Sequence, residues 1–195
     1  MKKSVIIAAC TALLMTGCAN EYNQVYKAAT PSYKYEYAKQ CFAQGKYSRA
    51  IPLLQDVVTM KKGSTEGEEC LYMLAMAEYG LKDYETASEY FKKYYASYPK
   101  GQYAEMAKYF VGESLYQNAP EPRLDQSTTY TAITAFQEFL DLFPDAHLKA
   151  QATNRLFALQ DLLVEKEYKS ARLYFDMGTY FGNCTNGGNN YEACI

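Results

Sequence analysis

The sequence predicts an all-α fold, an α-solenoid of stacked antiparallel helix hairpins. Two observations predict it. First, an aromatic frame recurs: "YEYAKQCF" at 35–42, "YMLAMAEY" at 72–79 and "YFVGESLY" at 109–116, starting 37 residues apart. A fixed period of this size marks a stacked-helix array. Second, small residues keep the same register. Ala38, Ala75 and Gly112 lie 37 apart, and Ala50, Ala87 and Ala132 follow on the next helix of each pair. One hairpin cannot bury its apolar face alone, so each must stack on a neighbour.

The first element precedes the array. Lys2 and Lys3 are followed by an apolar run from Val5 to Met15 and then "TGC". A basic start, a short apolar core and small residues before a cut read as a secretory leader over residues 1–17. The run is too short to remain as a membrane span. The end, "LLMTGC", resembles a bacterial lipobox with Gly17 before Cys18, although Met15 stands where leucine is commoner. That resemblance implies a diacylglycerol on the Cys18 thiol and cleavage before it. Several acyl chains on one residue give lasting attachment, where one chain is marginal. Ala19, with no aspartate in that place, resembles lipoproteins sent to the outer membrane. Residues 18–28 then read as a flexible tether, and 29–182 as the helical array.

The hairpins follow in order. The first has Tyr37, Ala38 and Cys41, then "KYSRAIPLL" with Ala50 and Leu54. Pro52 lies early in that second helix, where a slight kink is expected. "TEGE" at 65–68 reads as a capping box, with Thr65 and Glu68 serving the first amides of a helix. The second hairpin has Leu71, Leu74 and Ala75, then "DYETASEYF" with Ala87 and Phe91, ended by Pro99. The third has Val111, Gly112 and Leu115, then "TYTAITAF" with Ala132 and Phe136, ended by Pro144. Proline lacks the N–H that would continue each helix. Large residue, small residue, Ala, Phe and terminal Pro in this order make the tetratricopeptide pattern.

Between the helices of the third hairpin, "QNAPEPRLDQSTT" at 117–129 lengthens the repeat by eight residues. Its prolines make it an extended loop. Beyond Pro144 a long helical pattern carries Ala152, Leu156, Leu159 and Leu163, and later Tyr168, Ala171, Tyr174 and Phe175. Residues 183–195 read as a Gly/Asn-rich tail in which "NYEACI" looks like the start of an incomplete further hairpin.

Positions seven apart on a helix return to within about 20° of each other. Tyr35 and Phe42, Tyr72 and Tyr79, and Tyr109 and Tyr116 therefore form stripes, set off from the hairpin core by roughly 100°. Two readings stand. The six aromatics pave a concave contact surface, to which tyrosine's half-polar ring is suited, or they pack against neighbouring hairpins.

Several functions are excluded by composition and motif. The formal charge is −2 over the 195 residues with both signs interspersed, so the basic patch of a nucleic-acid surface is missing. There is no phosphate loop, Gly-x-Ser-x-Gly or HExxH, and the single histidine, His147, follows a helix-ending proline. The chain reads as a non-enzyme without metal or cofactor, apart from the covalent lipid. Of six cysteines, Cys10 leaves with the leader. Cys41 falls on a buried face, and Cys184 and Cys194 bracket the tail at a spacing that permits pairing.

"KYSRAIPLLQDVV", "YETASEYFKKYYASYPKGQYAEMAKYFVGESLY" and "ATNRLFALQDLLVEKEYKSARLYFDMGTY", with "LDQ" at Leu124–Gln126 in the proline-bearing loop, resemble BamD-type lipoproteins of the outer-membrane β-barrel assembly machine. The resemblance runs over roughly residues 28–182. It implies a lipid-anchored protein on the periplasmic face of the outer membrane. It also implies early repeats that receive unfolded outer-membrane proteins and later repeats that dock the barrel subunit of the machine. By position, the client surface is Tyr35, Phe42, Tyr72, Tyr79, Tyr109 and Tyr116. Arg155, Lys166, Tyr168 and Tyr174 lie toward the docking end. The family usually completes another hairpin beyond this point, a departure that bears on docking. A general periplasmic scaffold for another envelope complex is the alternative reading.

Overall fold

A computed structural model describes residues 21–177. The leader, Cys18, the tail at 183–195 and the cysteines Cys184 and Cys194 lie outside the described residues. The chain is all-α there, with no strand among the described residues. A helical segment α1 spans 21–28. It is followed by α2 (Pro31–Ala43), α3 (Tyr47–Met60), α4 (Thr65–Gly80), α5 (Tyr84–Ser97), α6 (Ala104–Gln117), α7 (Ser127–Leu142) and α8 (Lys149–Asp176). The chain divides into two compact units at residues 107 and 108, inside α6.

In the first unit, α2 packs on α3, α3 on α4 and α4 on α5. Ala38, Ala50, Ala75 and Ala87 are completely buried, as the small-residue register requires. Leu53, Leu54 and Val57 from α3 meet Cys41 of α2 and Cys70, Met73 and Leu74 of α4 in one core. The tether expected over 18–28 is helical from residue 21 onward. The reason is packing: Val25 is 4% exposed and joins the core, with Tyr22 packed beside it.

In the second unit, α7 packs on α8. Gly112 of α6 is buried against the Phe136 ring of α7, where an added Cβ would come within 2.8 Å of Cδ1. Ala132, Phe136 and Phe139 are fully buried, with Ala152 and Leu159 from α8. The long C-terminal pattern is one unbroken helix, but its later apolar residues are not core: Tyr168, Ala171, Tyr174 and Phe175 are exposed.

The helix ends follow local chemistry. α5 and α7 stop at Ser97 and Leu142, two residues before Pro99 and Pro144, because the residue before a proline is disfavoured in helical geometry. The cap of α4 differs from the expected Thr65–Glu68 box. Ser64 is the cap, its hydroxyl accepting from the Gly67 amide at 3.1 Å. Glu68 instead accepts from the Tyr94 hydroxyl at 2.5 Å and the Gln102 amide at 2.9 Å. Pro52 sits inside α3 without ending it.

The turns carry the repeat into the hydrogen bonds. After α2, the amides of Gln44, Gly45 and Lys46 donate to the carbonyls of Gln40, Phe42 and Cys41. After α4, Leu81, Lys82 and Asp83 donate to Ala77, Tyr79 and Glu78, each pairing 37 residues on. The six-to-one bond that closes each turn is that of a Schellman cap, which needs a left-handed residue. Gly45 supplies it at φ 69° and Lys82 at φ 64°. After α6, Asn118 and Ala119 donate to Ser114 and Tyr116 in the same pattern. The third donor would be residue 120, a proline with no N–H. The turn therefore does not close, and the eight-residue insertion begins there.

A side chain with a Cβ in left-handed geometry costs about 1–2 kcal/mol. Lys82→Gly is expected to raise stability by about 0.5–1 kcal/mol after the glycine's unfolded-state entropy is set against that strain. Gly112→Ala is expected to lower stability by about 1–3 kcal/mol through overpacking against Phe136. Urea denaturation of both variants beside the parent chain measures the two effects.

Candidate functional site

The six aromatics of the recurring frame divide into two kinds. The first of each pair faces inward. Tyr35 is 8% exposed, and its hydroxyl donates to the Glu69 carboxylate of α4. Lys39 stands over its ring at 4.7 Å. Tyr109 is 5% exposed, edge-on to Phe136 and Phe139, with its hydroxyl donating to Glu113 at 3.2 Å. Tyr72 is half-buried and stacks flat on Tyr103, with centroids 4.3 Å apart and planes 8° from parallel. Phe91 and Tyr94 meet it edge-on.

The second of each pair sits half-buried in the last turns of its helix, at the hairpin bend. Phe42 packs against Tyr47 at 5.4 Å, and Tyr79 against Tyr84 at 5.3 Å. Tyr47 and Tyr84 are the first residues of α3 and α5. Each bend is thus bracketed by two rings five residues apart. Tyr116 has Glu121 at that offset, and its ring is covered instead by the Arg155 guanidinium, 4.3 Å from the centroid.

Of the residues assigned to docking, two are engaged inside the second unit. Arg155 donates through Nε and Nη2 to the two Glu113 carboxylate oxygens, both at 3.0 Å. Burial works against the Arg155 charge. The Glu113 hydrogen bonds and charge, with Tyr116, more than offset it and hold the pKa above its ordinary value. Lys166 donates to the Leu124 carbonyl of the inserted loop at 3.1 Å. Tyr168 and Tyr174 are exposed at 63% and 61%, on the half of α8 that buries nothing.

The inserted loop is ordered by Gln126, which is 2% exposed. Its amide donates to the Glu121 and Leu124 carbonyls, and its oxygen accepts from the Thr129 hydroxyl. Leu124 at the loop tip is 58% exposed. His147 is exposed.

Sequence reasoning gave Glu68 to a helix cap rather than to Tyr94, and it missed Glu113 and the rings Tyr47, Tyr84 and Tyr103. Tyr47 and Tyr84 carried a signal, since they too lie 37 apart. Glu113 carried none, because its partner stands 42 residues away on a helix outside the repeat frame.

Chemically, the arrangement offers rings and amphipathic hydroxyls for contact. Among the described residues no group of His, Cys, Asp and Glu has the geometry to hold a metal ion. No described helix is long and apolar enough to cross a membrane.

The profile of the family described as YfiO, outer membrane lipoprotein, matches residues 27–185. A relative, the outer membrane protein assembly factor BamD of Caulobacter vibrioides (strain ATCC 19089 / CIP 103742 / CB 15), is 21% identical over 176 residues. That alignment covers 89% of this chain and 58% of the relative, so the chain spans less than two thirds of the relative's length.

The packed tyrosines make stability depend on alkaline pH. Burial, with Tyr103 adding, pushes the Tyr72 hydroxyl up to about 12. Burial and then the Glu113 charge and hydrogen bond push Tyr109 up to about 12. A folded-state pKa above the unfolded value of about 10 favours the neutral form in the fold. That stabilisation is complete below about pH 10 and is lost as pH rises toward 12. Denaturation midpoints measured from pH 8 to 12 should fall over that window. They should fall less for Tyr72→Phe, which keeps the ring stack and removes the titrating group.

Proposed function

The chain belongs to the YfiO outer membrane lipoprotein family, and from that premise we propose a non-catalytic scaffold of the outer-membrane β-barrel assembly machine. It is tethered by lipid on Cys18 at the periplasmic face of the outer membrane. It holds unfolded outer-membrane proteins on the half-buried rings of its hairpins and docks the barrel subunit through α8. The family match carries this reading, and the BamD name of the Caulobacter relative agrees with it.

The chemistry of the rings supports the client role. Unfolded barrel strands alternate apolar and polar residues and carry aromatic girdles. Phe42, Tyr79 and Tyr116 keep part of each ring at the surface of a bend whose other side is fixed by packing. Rigid aromatic anchors lose little entropy when a segment stacks on them. Tyr35, Tyr72 and Tyr109 serve from beneath, each by holding the helix that presents its ring. Holding and delivery need no energy source. Exposed Tyr168 and Tyr174 give α8 the aromatic character of a protein contact.

Two measurements test the proposal. Affinity-purified protein from detergent-solubilised membranes should carry the machine's large barrel subunit, and its absence from the eluate rejects the docking role. A peptide from the last strand of a barrel protein should bind Phe42→Ala/Tyr79→Ala about tenfold more weakly than the parent, the effect of losing about 1.4 kcal/mol of stacking. Unchanged affinity with intact helicity assigns the rings to packing alone.

A further inference from the structure

The third bend departs from the first two, and the departure builds a polar site. Where a tyrosine covers Phe42 and Tyr79, an arginine covers Tyr116. Arg155 lies there because Glu113 grips it in a two-pronged ion pair at 3.0 Å on each side. Glu113 is held in turn by the Tyr109 hydroxyl at 3.2 Å and the Gln117 amide at 2.8 Å. The carboxylate therefore has a donor on every side and little freedom to move.

The pair is asymmetric. The Glu113 side chain is 6% exposed and that of Arg155 is 38% exposed. Its positive end is turned to water and its negative end to the interior. A guanidinium carries five N–H donors in a rigid fork; Glu113 takes two of them, and the Tyr109 and Tyr116 hydroxyls are further hydrogen-bond partners of the same group. The remainder sits on a group whose plane is fixed by chelation on one edge and by the Tyr116 ring on one face. An arginine oriented in this way meets a carboxylate without losing rotamer freedom.

We propose that Glu113 is a positioning residue for a carboxylate-binding site at Arg155, which receives an acidic side chain of a docked protein segment. This rests on the reading of α8 as a docking helix. It adds the chemistry of one contact and the residue that pre-sets it. Exchange of Glu113 for the incoming carboxylate is disfavoured, because removing Arg155 would strand a buried charge. The incoming acid therefore adds to the pair and does not displace Glu113.

The test uses the full chain and two capped peptides that differ only in carrying three glutamates or three glutamines. The parent protein should prefer the glutamate peptide by about tenfold, the discrimination of one charge-assisted fork. Arg155→Lys keeps the charge, loses the fork and should lose most of that preference. Glu113→Gln is decisive because it makes the site more positive by one charge. If Arg155 acts as an oriented fork, the preference falls. If Arg155 acts as a bare charge, the preference rises, and the positioning role is overturned. Equal binding of both peptides by the parent overturns the site itself. Should Glu113→Gln fail to fold, the Arg155→Lys comparison still decides whether fork geometry matters. Recovery of the barrel subunit with the parent protein is read separately, so loss of docking and loss of this contact are distinguishable.

Discussion

The fold depends on how closely two helices of a hairpin can approach. Ala38, Ala50, Ala75 and Ala87 expose nothing at all, and Gly112 leaves room for the Phe136 ring where any side chain would intrude. Close approach lets Leu53, Leu54 and Val57 reach partners on both flanking helices. Interiors pack at crystal-like density, so a larger residue at one of these positions would move a whole helix. The aromatic residues are consequences of that spacing. Phe42 with Tyr47 and Tyr79 with Tyr84 fill the volume at the first two bends.

A second constraint is electrostatic. The helix faces take in carboxylates as well as hydrocarbon, and three of them, the half-buried Glu68 and Glu69 and the buried Glu113, are answered by donors. Glu68 is met by Tyr94 and the Gln102 amide, Glu69 by Tyr35 and Glu113 by four groups. Buried polar groups are tolerable only when satisfied in this way. Tyrosine suits the task, because its ring belongs to the core and its hydroxyl reaches a carboxylate. Heavy use of tyrosine, 21 residues with no tryptophan, thus has a structural reason beyond contact with a client.

The repeat was legible in the sequence because its cause is local. The small residues Ala38, Ala75 and Gly112 and the ring pairs Phe42/Tyr47 and Tyr79/Tyr84 recur at 37 residues since each hairpin solves the same packing problem. The core positions Ala50, Ala87 and Phe136 could be read from periodicity alone, and the start of α4 to within one residue of its Ser64 cap. The helical state of residues 21–28 was not legible. It depends on Val25 reaching a core assembled from α2 and α3, and local composition carries no trace of that. The candidate site was half legible. Periodicity placed Phe42, Tyr79 and Tyr116 at equivalent bends, but it could not tell an inward tyrosine from a surface one. That difference is set by partners such as Glu69 on another helix, Tyr103 in a connecting loop, and Glu113, which is itself held by Arg155 of α8.

Pro120 has a consequence for how such a chain tolerates change. The first two bends are locked by a backbone bond that fixes their length, so an added residue there would break the clasp. The third lacks the closing donor, and its loop is gathered before α7 by Gln126 and tied to α8 by Lys166. One missing hydrogen atom thus makes this bend the place where foreign sequence, a tag or a short binding epitope, is most easily spliced in.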